Sequence, residues 1–346
     1  MKRLETLIIV VALGFYAWFL RRFGWTDLLH YLRLAGWGLA LTVSLEAFAR
    51  LANTLGWRVT IENYPPTLSF AELFVARIAG EAVDYVTPSA QIGGQFVMAM
   101  TVRRKLVLSA GLASVIVAAL AEMVGQIGFI SAGLLATLPL EAEYHHLLWP
   151  ALGGLAFAIA LAAGFLFVQL NRPFAYLWRA AAKLDLGRIA NDQARESATE
   201  ADATLLDFYQ HHRARLLASC LCYLFAWSLG PLEIYILLRL LHEPATWQVA
   251  VMVEALGQLI ERATFMVPAK LVSQEGGKAL IMAMLGYPAE IGFVVGLLRR
   301  FKELIWVLLG LLALTLHRLL VARAENEQPE KTELVKMRSV QGEQSL

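Results

Sequence analysis

The sequence predicts an all-α polytopic membrane protein, and its composition and the length of its apolar runs are the observations that predict it. The 346 residues are 58% hydrophobic and 17% charged, whereas a soluble domain carries about 25% charged residues. Several apolar runs approach the roughly 20 residues that span the hydrocarbon core of a bilayer. We therefore predict about six transmembrane helices and two broken or re-entrant helical regions.

The first predicted span follows Lys2 and Arg3, a charge pattern that signal peptides share. Because no small-x-small cleavage site follows this run, we interpret it as an uncleaved span. The remaining spans are apolar runs separated by polar connections. In chain order, the predicted spans are Leu4–Leu20, Leu34–Trp57, Leu106–Leu138, Leu148–Leu170, Leu216–Leu241 and Ile291–Leu316.

Charges in the connections set the predicted topology, since short cytoplasmic loops are enriched in Lys and Arg. The segment Asn171–Arg215 is rich in basic residues and has apolar residues at helical intervals, which predicts a cytoplasmic amphipathic linker. The polar tail, residues 322–346, is predicted to be disordered on the same side. The two membrane halves are then residues 1–170 and 216–321, with both chain termini in the cytoplasm.

Two regions that are too broken to be plain spans, residues 69–105 and 247–285, share an ordered pattern. In each, a glutamate precedes a proline by seven residues, and a glycine pair and a Met-Ala-Met follow. We predict an internal repeat, inverted because the predicted topology brings the first region in from the cytoplasm and the second from outside. The alternative is that the prolines only kink two ordinary spans. The matched residues are Glu81 and Glu261, Pro88 and Pro268, and Gly93-Gly94 and Gly276-Gly277.

Paired, interrupted helices of this kind indicate the binding site of a transporter. A proline removes a backbone donor, and polar backbone groups freed at membrane depth are tolerated only inside protein or beside a water-filled cavity. A helix that restarts at a glycine pair presents unpaired amides to a phosphate or carboxylate. Lys270 and Lys278 would reinforce such a site in the second region.

Ionisable side chains inside spans are functional candidates, because each costs at least about 2.5–3.5 kcal/mol on insertion scales. For the i, i+4 pair Glu46 and Arg50, a structural role and a role in a transport pathway stay equally open. Glu233 lies alone in the fifth span. The candidate site for a head group or coupling ion comprises Arg77, Glu81, Asp84, Tyr85, Pro88, Gly93, Gly94, Glu261, Arg262, Pro268, Lys270, Glu275, Gly276, Gly277, Lys278, Arg299 and Glu303.

The remaining residues give no catalytic or metal-binding pattern. Cys220 and Cys222 lie in an apolar run and are interpreted as small buried hydrophobic residues. The pairs His145-His146 and His211-His212 have no further ligands at metal-binding spacing. No phosphate-binding loop or nucleophile elbow occurs. We expect no metal, no cofactor and no enzymatic activity, and the net charge of +2 gives no indication of a nucleic-acid partner.

These residues resemble the flippase-like family related to the membrane region of lysylphosphatidylglycerol synthases. The second half looks like the hopanoid-biosynthesis-associated HpnL-type branch. The likeness extends from about residue 5 to residue 320. It is carried in the first half by Arg77, Glu81, Tyr85-Val-Thr-Pro88 and Gly93-Gly94, and in the second by Phe265-Met-Val-Pro268-Ala-Lys270, Gln274-Glu275-Gly276-Gly277, Leu285-Gly-Tyr-Pro288-Ala-Glu290, Leu298-Arg299-Arg300 and Glu303-Leu-Ile-Trp306.

The resemblance implies a bacterial inner-membrane protein that moves or delivers lipid. Relatives with synthase activity carry a separate soluble aminoacyl-transferase domain, whereas here a short polar tail follows the membrane region. Two hypotheses follow. In the first, the chain translocates a hopanoid or an anionic phospholipid, whose head group lies against Glu81, Glu261 and the glycine pairs. In the second, it is a non-transporting subunit or scaffold that works with lipid-biosynthesis proteins.

Overall fold

The fold is known from a computed structural model, which describes residues 33–34, 36–86, 92–137, 141–183, 192–263 and 273–343. The described residues form eleven α-helices and no strand, as the sequence predicts. The first predicted span, Leu4–Leu20, lies outside these residues. The helices are α1 (Trp37–Thr60), α2 (Phe70–Val86), α3 (Ile92–Val102), α4 (Leu108–Thr137), α5 (Glu141–Leu170), α6 (Pro173–Lys183), α7 (Asp192–His211), α8 (Arg213–Leu240), α9 (Trp247–Ala263), α10 (Ser273–Met284) and α11 (Ala289–Glu343).

Three described helical segments are long and apolar enough to cross a membrane: Leu108–Leu135, Trp149–Leu170 and Arg213–Leu240. The other two predicted spans that are described, in α1 and in the first part of α11, are also helical. Charged side chains interrupt their apolar runs: Glu46 and Arg50 in α1, and Arg299, Arg300, Lys302 and Glu303 in α11. The chain is thus a multi-pass membrane protein in which two long helices carry charges into the interior.

The antiparallel helices α1 and α8 define the two ends of the bundle. At one end, Arg215 in the first turn of α8 donates hydrogen bonds to the carbonyl oxygens of Ile61 (2.8 Å) and Glu62 (2.9 Å), just after α1. At the other end, Gly38 in α1 lies directly against the side chain of Leu240, the last residue of α8. We call these the linker side and the opposite side.

Helices α2 and α3 form a hairpin whose two outer ends both lie on the linker side. Helix α2 begins at a capping box, in which the backbone amide of Ser69 and the carboxylate of Glu72 are 2.9 Å apart. Lys105, just after α3, donates to that same carboxylate (2.7 Å) and to the carbonyl of Thr67 (2.7 Å). Farther in, the backbones of α2 and α3 approach closely at two glycines, Gly80 and Gly94.

Helices α9 and α10 form a second hairpin, whose outer ends both lie on the opposite side. The Tyr287 hydroxyl, just after α10, donates to the carbonyl of Pro244, just before α9 (2.7 Å). Helix α10 ends in a Schellman motif: Gly286 has φ +81°, and the Tyr287 amide bonds back to the Met282 carbonyl. The two hairpins therefore enter the bundle from different sides. Their tips, residues 87–91 and 264–272, lie outside the described residues.

The predicted linker contains two helices, α6 and α7. Asp202 of α7 accepts hydrogen bonds from the backbone amides of Phe174 and Ala175, which satisfies the first turn of α6. Leu205 and Phe208 of α7 pack on the start of α4, so the linker is anchored to the membrane region.

The tail differs from its prediction. The structure continues α11 to Glu343, through residues that the sequence predicts to be disordered. Composition offers a reason, because the tail is rich in Glu, Lys, Arg, Ala and Leu, which have high intrinsic helix propensity. Charge and low hydrophobicity argue against a packed core, but they do not argue against a helix that continues from a membrane span.

Candidate functional site

The interior of the bundle contains a chain of nine charged side chains in which acids and bases alternate. Five carboxylates are separated by four cations, and each cation contacts the carboxylate on either side of it. The nine come from six different helices. In order, the chain is Glu122, Arg77, Glu81, Arg50, Glu46, Lys302, Glu233, Arg299 and Glu254.

The first part of this alternating chain joins α4, α2 and α1. Arg77 lies 2.9 Å from Glu122 of α4 and 2.5 Å from Glu81, one turn along α2. It also donates to the hydroxyl of Tyr223 on α8 (3.0 Å). Glu81 pairs in turn with Arg50 of α1. Each of the three guanidinium nitrogens of Arg77 thus donates to a side chain from a different helix, which fixes its position.

The second part of the chain links α1 to α8, α11 and α9. The Lys302 ammonium lies 2.9 Å from Glu46 of α1 and 2.8 Å from Glu233 of α8. Arg299, one turn before Lys302 on α11, lies 3.1 Å from Glu233 and also pairs with Glu254 of α9. The side chains of Lys302, Glu233 and Glu254 are each less than 5% exposed. Buried charges are tolerated only when paired in this way.

Small residues let the charged helices approach each other. Gly230 of α8 lies against the Glu254 carboxylate, so a Cβ at this position would be 2.6 Å from its Oε1. Gly310 of α11 lies against the backbone of α2 near Ile78. Arg50 stacks over the Trp306 ring at 4.9 Å, which gives its guanidinium a contact with α11. These close approaches bring the cations of α11 within reach of α1, α8 and α9.

All five carboxylates of the alternating chain line one cavity of about 190 Å³. Arg299 is the cation among the described residues that line it, and the other lining residues are Asn53, Trp227 and five apolar or small residues of α1 and α8. The other three cations of the alternating chain are not among the described residues that line the cavity. The surface that a bound molecule would contact is therefore rich in hydrogen-bond acceptors. Such a surface suits a ligand that carries hydroxyl, ammonium or other donor groups.

Several polar contacts extend from this cavity toward the second hairpin. Glu254 accepts from Gln258 (2.8 Å), Gln258 accepts from Gln126 of α4 (2.9 Å), and Gln126 accepts from Arg262. Glu261 pairs with Lys278 across the hairpin at 3.3 Å.

The remaining predicted site residues are distributed over the two hairpins and α11. Glu275, which is fully buried, pairs with Arg300 of α11, and Arg300 also donates to the Tyr85 hydroxyl (3.2 Å). Asp84 accepts a hydrogen bond from the Gly94 amide (2.7 Å) within the first hairpin. Glu303 accepts from Gln274 (3.1 Å).

The structure thus brings together part of the predicted site. Arg77, Glu81 and Arg299 belong to the alternating chain, whereas Glu261, Arg262, Glu275 and Lys278 surround the second hairpin. Gly93 and Gly94 begin α3, and Gly276 and Gly277 lie in the first turns of α10, where Gly277 packs on Ile260. The predicted partner of Glu81 in a shared cavity, Glu261, is not among the described lining residues, and Glu254 lines the cavity from the second hairpin instead. Pro88, Pro268 and Lys270 lie outside the described residues.

Sequence reasoning missed Lys302, paired Glu46 and Arg50 only with each other, and left Glu233 without a partner. A lysine in an otherwise apolar run was the available signal for Lys302. Its spacing of three from Arg299 places both on one face of α11. The sequence could not supply the partners of Lys302, because Glu46 and Glu233 lie far from it along the chain and meet it only through packing.

The structure also gives His212 neighbours that its local sequence does not. Its Nε2 lies 3.3 Å from Glu62 and 4.0 Å from Asp207. These three could offer metal-ligand atoms within 4.8 Å of one another, and they form the one such group among the described residues. The expectation that His211-His212 has no further metal ligands therefore applies only to spacing along the sequence, because folding brings Glu62 close to His212. The group lies on the linker side, away from the cavity.

Comparison with known proteins assigns the family. No curated protein and no solved structure matches the chain. The family described as lysylphosphatidylglycerol synthase TM region matches residues 6–311, which covers both hairpins and the whole alternating chain. The chain therefore belongs to the lysylphosphatidylglycerol synthase transmembrane-region family.

Proposed function

We propose that this protein is a lipid translocator, in which the head group passes through the carboxylate-lined cavity while the acyl or polycyclic part stays in the bilayer. The observation that carries the proposal is the cavity itself, since five carboxylates line it inside a helical bundle and present acceptors to a polar ligand. The two hairpins, which enter from different sides, are proposed to be inverted copies that alternate access to it. Membership of the family is consistent with this role.

The lining favours a head group that donates hydrogen bonds. An anionic phosphate facing Glu46, Glu81, Glu122, Glu233 and Glu254 would meet like charges, with Arg299 as the exposed counter-charge. Hydroxyl or amine groups would instead find acceptors. Of the two lipids that the resemblance implies, we therefore favour a polyhydroxylated hopanoid over an anionic phospholipid. We propose the HpnL-type branch and the bacterial inner membrane on the same grounds, with the linker in the cytoplasm.

Proteoliposomes test the proposal directly. Acyl-labelled fluorescent phosphatidylglycerol and phosphatidylethanolamine are reconstituted separately with the protein, and an impermeant reductant then bleaches the outer leaflet. Movement of unlabelled hydroxylated hopanoid is followed in parallel by timed extraction from the outer leaflet. We expect movement of the hopanoid or the amine-bearing lipid, with phosphatidylglycerol much slower. If all three lipids stay in their original leaflet to the same extent with and without the protein, the non-transporting subunit is favoured instead.

Charge-removing variants assign the site. Replacing Glu81 by Gln removes a charge-assisted hydrogen bond worth about 1.5–3 kcal/mol, so we expect a loss of about tenfold to hundredfold in rate. Glu261→Gln, which leaves Lys278 without this carboxylate partner, tests whether the second hairpin also contributes. Glu200→Gln, exposed on α7, is the matched control. If Glu81→Gln folds and moves lipid as fast as Glu200→Gln does, the cavity is not the pathway.

A further inference from the structure

The alternating chain carries more negative than positive charge. Its five carboxylates are shared among four cations, which leaves a surplus of one negative charge if every group is ionised. Counting the other charged residues of the two hairpins and their neighbours does not remove the surplus, because the described interior then has nine carboxylates and seven cations. The additional groups are Asp84, Glu261, Glu275 and Glu303, and Arg262, Lys278 and Arg300.

One carboxylate oxygen in the chain is both buried and without a hydrogen-bond partner among the described residues. Glu233 is 3% exposed, and its Oε2 faces Lys302 and Arg299. Its Oε1 is the unpartnered atom. This oxygen is itself buried, but Glu233 lines the cavity, so a rotation of its carboxylate would present the oxygen to a donor or cation bound there. A buried acceptor left unsatisfied is unfavourable, and a bound partner would relieve it.

The charged surroundings of Glu233 come from every helix that packs around it. Lys302 and Arg299 lie on α11, Glu254 on α9 and Glu46 on α1. Across the cavity, α2 and α4 contribute two further carboxylates. Both neighbouring cations are already shared with a second carboxylate, so neither fully neutralises Glu233. One proton on Glu233 would remove the surplus of one negative charge and would satisfy the unpartnered oxygen at the same time.

The spacing of the carboxylates favours a proton over a metal ion. Among the described residues, the group whose ligand atoms converge within 4.8 Å is Glu62, Asp207 and His212 on the linker side. The cavity carboxylates do not converge in this way, so they do not form a ready chelating site for a bare cation. A proton needs a single oxygen and leaves Oε2 to accept from Lys302.

We propose that Glu233 binds one exchangeable proton that couples lipid movement to the proton gradient. The inference rests on the proposed function only for the coupling, since proton binding is a property of the cavity alone. With Glu233 protonated, the four remaining carboxylates of the chain balance its four cations. A head group that donates to Oε1 satisfies the same oxygen, so head group and proton compete for it. Binding of one releases the other, which makes the protein a lipid–proton exchanger.

Infrared difference spectroscopy on purified protein measures the proton without requiring transport. We expect a carbonyl stretch of a buried, protonated carboxylic acid in acidic buffer that disappears in alkaline buffer and shifts in D₂O. Glu233→Gln should abolish this band, whereas the exposed control Glu200→Gln should retain it. Persistence of the full band in folded Glu233→Gln, or its absence from the parent protein at every pH, would overturn the assignment.

A second measurement uses the unmodified protein and remains informative if Glu233→Gln does not fold. A hydrophobic carbodiimide reacts with protonated carboxyls in apolar surroundings, and peptide mapping by mass spectrometry locates the adduct. We expect modification of Glu233 that declines as pH rises and is unaffected by Na⁺. Protection by Na⁺ at constant pH would show that a metal cation occupies the site and would overturn the proton assignment. Modification confined to other carboxylates would overturn the choice of Glu233.

Transport assays separate failure of the coupling from failure of the proposed function. In proteoliposomes with an imposed pH gradient, movement of acyl-labelled phosphatidylethanolamine or extractable hopanoid should be several times faster than without the gradient. Glu233→Gln should remove the response to the gradient. If the parent protein moves lipid at the same rate with and without the gradient, the proposed coupling is wrong and the proposed translocation is retained. If Glu233 binds a proton but the protein moves no lipid, the proposed translocation is wrong and the proton site is retained.

Discussion

Lys302 is the position in the alternating chain where we expect a single substitution to have the largest effect. Its ammonium joins the two membrane halves, because Glu46 belongs to the first half and Glu233 to the second. Replacement by Met keeps the length and apolar stem while it removes the charge. Each of the two carboxylates would then keep one cation, Arg50 or Arg299, and the surplus negative charge of the chain would rise from one to two.

The size of the effect follows from burial. Removing one partner of a buried ion pair typically destabilises a protein by 3–5 kcal/mol, and we expect about 3 kcal/mol for Lys302→Met because both carboxylates retain a second cation. The matched control is Lys105→Met, which removes an ion pair with Glu72 whose side chains are 38% and 43% exposed. An exposed pair contributes about 0.2–1 kcal/mol.

Unfolding of the purified protein in detergent, by heat and by denaturant, compares the two variants. We expect Lys302→Met to lower stability clearly more than Lys105→Met, and Lys302→Arg to remain near the parent. A double variant, Lys302→Met with Glu233→Gln, returns the surplus to one charge and should recover part of the loss. If Lys302→Met is no less stable than Lys105→Met, or if the double variant is less stable than the sum of its parts, the charge-balance reasoning is wrong.

Three further predictions test the hairpins and the topology. Gly94→Ala should destabilise the protein, because its Cβ would collide with the α2 backbone, whereas Gly164→Ala on α5, with nothing within 4 Å, should be neutral in the same unfolding assay. Single cysteines at Thr67 and Arg104 should react with an impermeant maleimide from the same side of the membrane, and labelling from different sides would refute a re-entrant first hairpin. Reporter fusions at Asn191 should be active in the cytoplasm only, and activity in the periplasm would reverse the proposed orientation.

The sequence predicts local features of this fold well. Long apolar runs gave the helices of some spans to within a few residues, as with Leu216–Leu241 and the observed Arg213–Leu240, whereas α5 begins earlier and α11 ends later than predicted. The interrupted regions around Pro88 and Pro268 were also distinguishable, since Gly, Pro and charge disrupt an apolar run in a way that a single sequence records. Arg77 and Glu81 could be paired because helix geometry alone sets their separation.

The composition of the cavity depends on contacts between distant segments, which the sequence does not record. Glu254 and Glu261 lie two turns apart on α9 and have similar local surroundings, yet Glu254 meets Arg299 and lines the cavity while Glu261 meets Lys278. The offset from a proline, which selected Glu261, is a feature of the local sequence. It does not describe at which turn of α9 the helices α8 and α11 approach, and that position is decided by packing at residues such as Gly230.

The arrangement of shared cations bears on how the two halves could move. In an isolated ion pair, separation of the helices would leave two bare charges at membrane depth, each unfavourable by several kcal/mol. Here each cation contacts two carboxylates on different helices or turns, so a shift that lengthens one contact leaves the other in place. Lys302 can follow Glu46 or Glu233, and Arg50 can follow Glu46 or Glu81. An alternating chain therefore lets hairpins change position without exposing an uncompensated charge, which a set of independent pairs would not allow.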